Sequence, residues 1–295
     1  MSTFVSFDIE VARGFPQYRC KNCGYMYSTD KPTYQGLTVC PKCQGEPHVM
    51  DWRDYIPLGL SCAATTVGDT GRDSETWITR AWGDPTQGTQ MLYDQFDELL
   101  AYLERAVASG VVCVTWNGVG FDLPFLADAY PYAKEQIKAL TRAHCDPAFQ
   151  MFCERGYMIG LDKAAHALGA AGKTEGMRGD LAPLLWTGLP DWEMSESQGK
   201  MIAETGLVPG SSEARQHVID YVKQDAITTA LVYAGLARGE RCAWVTSNGA
   251  VSKVPWLPKR EGDRLLTVEE CQRLPEPKGW TGFTPKPRSN YDGWL

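Results

Sequence analysis

Along residues 4–11, FVSFDIEV, apolar and polar side chains alternate. Val5, Phe7, Ile9 and Val11 fall on one face of a strand, and Ser6, Asp8 and Glu10 on the other. A strand this apolar belongs inside a sheet, where two carboxylates about 7 Å apart on one face repel unless something positive lies between them. The plainer alternative is an edge strand whose polar face meets water. Residues 56–68 (IPLGLSCAATTVG) and 75–83 (ETWITRAWG) read as an antiparallel pair joined by DTGRDS. Residues 89–110 then carry Met91, Leu92, Phe96, Leu99, Leu100, Leu103 and Val107 at helical spacing, stopped by Gly110. VVCVTW, at 111–116, is the short continuous apolar run of a strand buried on both faces. This order predicts an α/β chain with a mixed sheet and helices packed on it.

That last strand runs into NGVGFDLPFL, where Asn117 and Gly118 break it and Asp122 opens a helix. An aspartate there can simply complement the helix dipole. Residues 211–239 form a long helix, starting at Ser211 or Ser212 and closing near Gly239. Its apolar stripe passes through Val218, Tyr221, Val222, Thr229, Val232 and Leu236, with Asp225 inside it and Tyr221 one turn before on the same face. An ionised carboxylate on such a stripe costs several kcal/mol unless paired or coordinated, so Asp225 is either a satisfied structural group or a ligand.

Cysteine usage changes the picture at one place. Of ten cysteines, six are scattered among apolar neighbours, the pattern of a reducing compartment. The other four, Cys20, Cys23, Cys40 and Cys43, form two CxxC pairs separated by sixteen residues, with glycines at 24 and 45. This is the spacing of a closed four-cysteine zinc site, structural in role; two disulfides or a redox pair are the alternatives. The ribbon around it, 13–50, bears Arg13, Arg19, Lys21, Lys31 and Lys42 against Asp30 and Glu46. It either grips a nucleic-acid backbone or stabilises the fold. The formal charge of −7 excludes a uniformly basic coat, so any polyanion site is local. Without a run of eighteen apolar residues or a basic start followed by an apolar core, a membrane span and a signal peptide are not expected, and the chain reads as cytoplasmic. At 295 residues it has room for one large domain or two modest ones.

Taken together, FDIE, WNGVGFDLPF and YVKQDA resemble, in order, the three motifs of the DEDD 3′→5′ exonucleases. The likeness is nearest to the proofreading domains of family B DNA polymerases, with the YxxxD motif of the tyrosine subclass. The resemblance covers 1–12 and 51–237, interrupted by the ribbon at 13–50, and leaves 238–295 as a Pro- and Trp-rich extension. It implies an RNase H-like fold with the first strand central, and a pair of Mg²⁺ or Mn²⁺ ions held by Asp8, Glu10, Asp122 and Asp225. It further implies that Tyr221 orients the attacking water and that Ile9, Asn117 and Phe121 shape the pocket beside the terminal nucleotide. The substrate implied is single-stranded or 3′-ended nucleic acid, DNA before RNA. Hard oxygen donors suit such ions better than zinc.

Two further stretches invite other readings. ALGAAGKT, 167–174, approximates a phosphate-binding loop, but such a loop needs a strand before it and a helix after it, whereas Leu161, Ala164, Ala165 and Leu168 have helical spacing and Gly169 looks like a stop. Lys173 and Arg178 there either touch substrate phosphates or are solvated loop charges. In the extension, Trp244, Trp256, Trp280 and Trp294 either stack bases or wrap the domain and bury their rings. The remaining alternative for the whole chain is a non-catalytic nucleic-acid-binding adaptor on a degenerate nuclease fold.

Overall fold

The computed structural model describes residues 2–30, 39–51, 54, 58–71, 74–87, 90–172, 174, 176–246, 249–252, 254–279 and 283–292. Strand β1, Thr3–Val11, is the spine of a four-stranded sheet. It pairs antiparallel with β5, Leu60–Asp69, which pairs antiparallel with β6, Ile78–Trp82. On its other side it pairs parallel with β7, Val112–Val114, so the sheet is mixed and β1 is interior. The apolar run at 111–116, expected as a strand buried on both faces, forms β7 with Cys113 and Val114 buried and Val112 half-buried. It ends the named sheet, but its edge is covered by a single parallel bridge to Cys145, whose N–H donates to Cys113 O at 2.8 Å.

The alternation in β1 sorts its residues between two cores. Phe7, Ile9 and Val11 pack with Leu99 and Leu103 of α1 (Tyr93–Ala108), Leu123 of α2 (Asp122–Ala129) and Ile137 of α3 (Lys134–Ala143). The opposite face meets helix α8, Ser212–Arg238. Here β5 supplies small residues: Ala64 lies opposite Asp8 and Cys62 opposite Glu10, and both pack with Val218, Tyr221 and Ala226 of α8. Helix α8 has the ends its sequence predicts. Ser211 accepts the Ala214 N–H at 3.1 Å as N-cap, and Gly239 takes the left-handed C-cap conformation at φ 89°.

Between β7 and α8 run α4 (Pro147–Arg155), α5 (Leu161–Ala167), α6 (Ala182–Thr187) and α7 (Glu196–Thr205). Helix α5, followed by Gly169 at φ 67°, precedes the loop-like stretch at 167–174, and the next helix starts only at Ala182. A phosphate-binding loop is thereby excluded. Lys173 lies outside the described residues, and Arg178 is ion-paired with Asp180, with Nε to Oδ1 at 2.8 Å.

The ribbon has its own sheet of β2 (Tyr18–Cys20), β3 (Met26–Tyr27) and β4 (Pro47–Val49), in the order β3-β2-β4. It is docked, not tethered. Ser28 N–H donates to Glu193 O at 2.7 Å, Tyr25 OH to the Glu193 carboxylate at 2.8 Å, and Asp30 accepts the Ser197 N–H at 2.7 Å in the first turn of α7. The C-terminal extension likewise joins the core. The hairpin of β8 (Arg260–Glu261) and β9 (Arg264–Leu265) and the short helix α9 (Val268–Gln272) follow Trp244 and Trp256, both buried beside Tyr233 and Leu265. Trp256 Nε1 donates to Glu154 of α4 at 2.9 Å, and Val268 N–H to His144 O at 2.9 Å. These two tryptophans wrap the domain; Trp280 and Trp294 lie outside the described residues. Among the described residues no helix is long and apolar enough to cross a membrane.

Candidate active site

Three carboxylates from the two central elements converge. Donor oxygens of Asp8, Glu10 and Asp225 all lie within 4.8 Å of one another, with Glu10 and Asp225 buried and Asp8 half-buried. Strand periodicity brings Asp8 and Glu10 to the α8 side, and the helix meets them at Asp225. Packing like charges this closely is unfavourable unless a cation lies among them, and all-oxygen donors fit Mg²⁺ or Mn²⁺. The residues present therefore fit the expected ions.

Tyr221 stands one helical turn before Asp225 and is buried. Burial, then the negative charges of Glu10, Asp225 and Asp8, then a hydrogen bond with Asp225, hold its phenol well above the ordinary value of 10. It is thus a neutral hydroxyl at physiological pH, suited to orient a group by hydrogen bonding and unsuited to act as a bulk base.

Asp122 occupies the first position of α2 and is buried, but its carboxylate is not one of the three within 4.8 Å. It opens the helix that follows β7, the strand next to β1. Two-metal sites hold their ions about 3.5–4 Å apart, so a ligand to the second ion need not touch every ligand of the first. Ile9, expected beside the terminal nucleotide, faces the opposite core with Phe7 and Val11, so its side chain points away from the carboxylates.

The loop that delivers Phe121 and Asp122 is organised by residues that sequence reading passed over. Asp146 is fully buried; its Oδ1 accepts the N–H groups of Asn117 at 2.9 Å and Phe149 at 3.0 Å, and its Oδ2 accepts that of Val119 at 3.0 Å. One side chain therefore caps α4 and pins the NGVG turn. Beneath it, Thr115 Oγ1 accepts the Gly118 N–H at 3.2 Å and bonds His144 Nε2 at 3.0 Å. Asn117 is left-handed at φ 66°, and a Cβ on Gly118 would stand 2.2 Å from Thr115 Oγ1, so the turn tolerates no side chain there. The signal for Asp146 was an Asp-Pro pair at a helix start, HCDPAFQ.

The four ribbon cysteines form a second cluster. Their sulfurs all lie within 4.8 Å of one another, at 3.4 Å for Cys23 to Cys43, 3.5 Å for Cys20 to Cys43 and 3.7 Å for Cys23 to Cys40. No disulfide links them, and a tetrahedron of sulfurs about 2.3 Å from zinc has edges of roughly 3.8 Å. The donor set fits zinc. Both knuckles repeat one backbone pattern: Gly24 N–H donates to Cys20 O at 3.0 Å, and Gln44 N–H to Cys40 O at 2.9 Å. The left-handed residue of the second knuckle is Gln44 at φ 60°. Gly45 is required for space, since a Cβ there would meet the Asn22 side chain at 2.8 Å. Of the basic residues proposed to grip nucleic acid, Lys21 is paired with Glu46 at 2.5 Å and Lys42 lies over the Tyr25 ring, while Lys31 is outside the described residues.

A mixed sheet with its acidic strand in the middle and a long helix crossing its acidic face defines the fold class. The chain belongs to the RNase H superfamily: the family model RNase_H_2, described as RNase_H superfamily, matches residues 64–237. Among solved structures, the chain is similar to the family B DNA polymerase of the hyperthermophilic archaeon Pyrobaculum calidifontis, at 16% identity and a TM-score of 0.35, over 88% of this chain and 30% of that one. The chain thus spans less than a third of that polymerase. No curated protein matches it. Membership in the superfamily suggests a nuclease.

Proposed function

We propose that the protein is a 3′→5′ exonuclease of the tyrosine DEDD type, using two Mg²⁺ or Mn²⁺ ions to remove nucleotides from single-stranded ends, DNA before RNA. The observation that carries this reading is the meeting of Asp8, Glu10 and Asp225 within 4.8 Å beside the buried Tyr221. Asp8, Glu10 and Asp225 would hold one ion, and Asp8 with Asp122 the other. When bound, the ions acidify the attacking water and stabilise the leaving 3′-oxygen. Tyr221, kept neutral by its surroundings, orients that water through its hydroxyl. Asn117 and Phe121 flank the terminal nucleotide, and the NGVG turn holds both at the mouth of α2. The ribbon carries one structural zinc on Cys20, Cys23, Cys40 and Cys43.

The test is digestion of 5′-labelled single-stranded DNA and RNA with Mg²⁺, Mn²⁺ or chelator. A ladder shortening from the 3′ end, dependent on the metal and abolished in Asp8→Ala and Asp225→Ala with the fold retained, is expected. Undiminished digestion by either variant, or tight strand binding with no hydrolysis under any metal, refutes the assignment.

A further inference from the structure

At positions 146, 150 and 154, four residues apart and so on one side of the helix, α4 carries three polar side chains that hold two different parts of the chain. Asp146, at the N-cap, grips the NGVG turn through the N–H groups of Asn117 and Val119. Gln150, fully buried, donates to Lys259 O at 2.7 Å and accepts the Leu266 N–H at 3.2 Å, so it holds both residues that flank the β8–β9 hairpin. Glu154 accepts the Lys259 N–H at 3.0 Å on one oxygen and the Trp256 Nε1–H at 2.9 Å on the other. The side chains are joined to each other as well: Gln150 Nε2 donates to Glu154 at 2.8 Å, and Gln150 N–H to Asp146 O at 2.8 Å.

The residues leading into α4 make the same bridge. Val268 N–H donates to His144 O at 2.9 Å and Cys145 Sγ to Leu265 O at 3.3 Å, while the His144 ring reaches Thr115 beneath the turn. Residues 144–146 are therefore bonded to the extension on one side and to the turn on the other. The turn in its place carries the start of α2: Phe121 N–H donates to Asn117 O at 3.1 Å and Leu123 N–H to Gly118 O at 2.9 Å, so the backbone on either side of Asp122 hangs on it. A nine-residue helix moves as one body, and a shift imposed at 150 and 154 reaches 146.

We propose that the C-terminal extension is a positioning element of the active site: through Gln150 and Glu154 it sets α4, and α4 through Asp146 sets the turn that presents Asp122. The extension lies beyond residues 64–237, which the family model matches, so the nuclease domain is completed by a segment outside it. The inference rests on the exonuclease reading for the role of Asp122 as a ligand to an ion.

Two measurements on the zinc-loaded full chain test it, with Ser211→Ala, which removes the N-cap bond of α8, as the control for lost stability. The first is amide hydrogen exchange without substrate. Glu154→Ala and Gln150→Leu are each expected to speed exchange by about 10-fold or more in the extension, 256–272, and also in the turn, 115–123, and Ser211→Ala in neither. Faster exchange in the extension with the turn unchanged overturns the proposal, as does an extension that neither variant loosens. The second is the Mn²⁺ dependence of strand digestion. The Mn²⁺ concentration giving half the maximal rate is expected to rise by about 10-fold or more in Glu154→Ala, with the rate restored at saturating Mn²⁺, and to stay at the wild-type value in Ser211→Ala. Glu154→Gln, which keeps one acceptor oxygen, is expected to fall between. A lower rate with unchanged Mn²⁺ dependence overturns the proposal. Coupled exchange in a protein that hydrolyses nothing in any metal would refute the exonuclease reading and leave the positioning role standing, and metal-dependent hydrolysis with a turn indifferent to the extension would do the reverse.

Discussion

Ser6 Oγ donates to the backbone carbonyl of Ala226 at 2.7 Å, tying the strand that carries Asp8 and Glu10 to the helical turn that carries Asp225. Ser6 precedes Asp8 by one strand repeat on the same face, and Ala226 follows Asp225 directly, so this bond sets the spacing between the two halves of the carboxylate cluster. Ser6→Ala is expected to cost about 1 kcal/mol of stability, a loss readable by urea unfolding. It should also lower kcat several-fold at saturating metal. An unchanged kcat in a measurably destabilised variant would show that the spacing is set elsewhere.

Asp146 makes a second prediction, because it serves the NGVG turn and the start of α4 at once. Asp146→Asn places an amide NH₂ against backbone N–H groups and is expected to cost about 1–3 kcal/mol. If the turn positions Phe121 and Asp122, kcat/KM per folded molecule also falls, by about 10-fold or more, with the fraction folded checked by circular dichroism. A stability loss with normal activity would confine Asp146 to an architectural part.

The ribbon should hold one zinc per chain, measurable by a colorimetric release assay. Cys40 is fully buried between Tyr18 and Tyr27, so Cys40→Ser removes a ligand and a packing contact together. Loss of zinc and new protease cleavage within 13–50, with the α8 helix still protected, are the expected results. Full zinc content in the variant would exclude the four-cysteine site.

The C-terminal extension is fastened by Arg264 and Glu270, bonded in a fork at 2.7 and 2.8 Å, while Glu270 also accepts the Thr267 N–H at 2.8 Å. Arg264 above all pulls the Glu270 carboxyl down to about 2, from 4.5. A carboxyl with a depressed folded value contributes stability above its unfolded value and loses it as pH falls from about 4.5 towards 2. Allowing for the partial exposure of the pair, Glu270→Gln should destabilise by about 1–3 kcal/mol at pH 7. The gap between wild type and variant should shrink at pH 3, as followed by denaturant midpoints. A gap independent of pH would place the effect in packing.

What the amino-acid pattern revealed depended on how local each signal was. The two faces of β1, the antiparallel β5 and β6, and both ends of α8 follow from alternation, Ser211 and Gly239, which act within a few residues. The meeting of Asp8, Glu10 and Asp225 is nonlocal: charge on an apolar face marked Asp225 as needing a partner, and only the resemblance to the three exonuclease motifs joined it to Asp8 and Glu10, in a set with Asp122 that the cluster does not include. Asp146 escaped because its three partners are supplied by a turn about thirty residues earlier and by its own helix, and a lone Asp-Pro reads as a cap alone. Gln44 escaped because glutamine carries no signal for a left-handed conformation, and the glycine after it is there to admit Asn22. The fate of Trp244 and Trp256 was undecided in the sequence because burial of a tail aromatic depends on a surface that α4 and α8 build first.

The ribbon interrupts the chain between Val11 and Leu60, residues that face each other at the end of the β1–β5 pairing. For the polypeptide being made, those two strands are therefore the ends of one long excursion, and their first encounter requires that the excursion close. Closing entropy grows by about 0.6 kcal/mol for each doubling of a flexible loop, so a clasp joining Cys20 to Cys43 shortens the effective tether. With a metal held by the four cysteines, the two acidic residues of β1 would meet their neighbour strand across a shorter span of free chain.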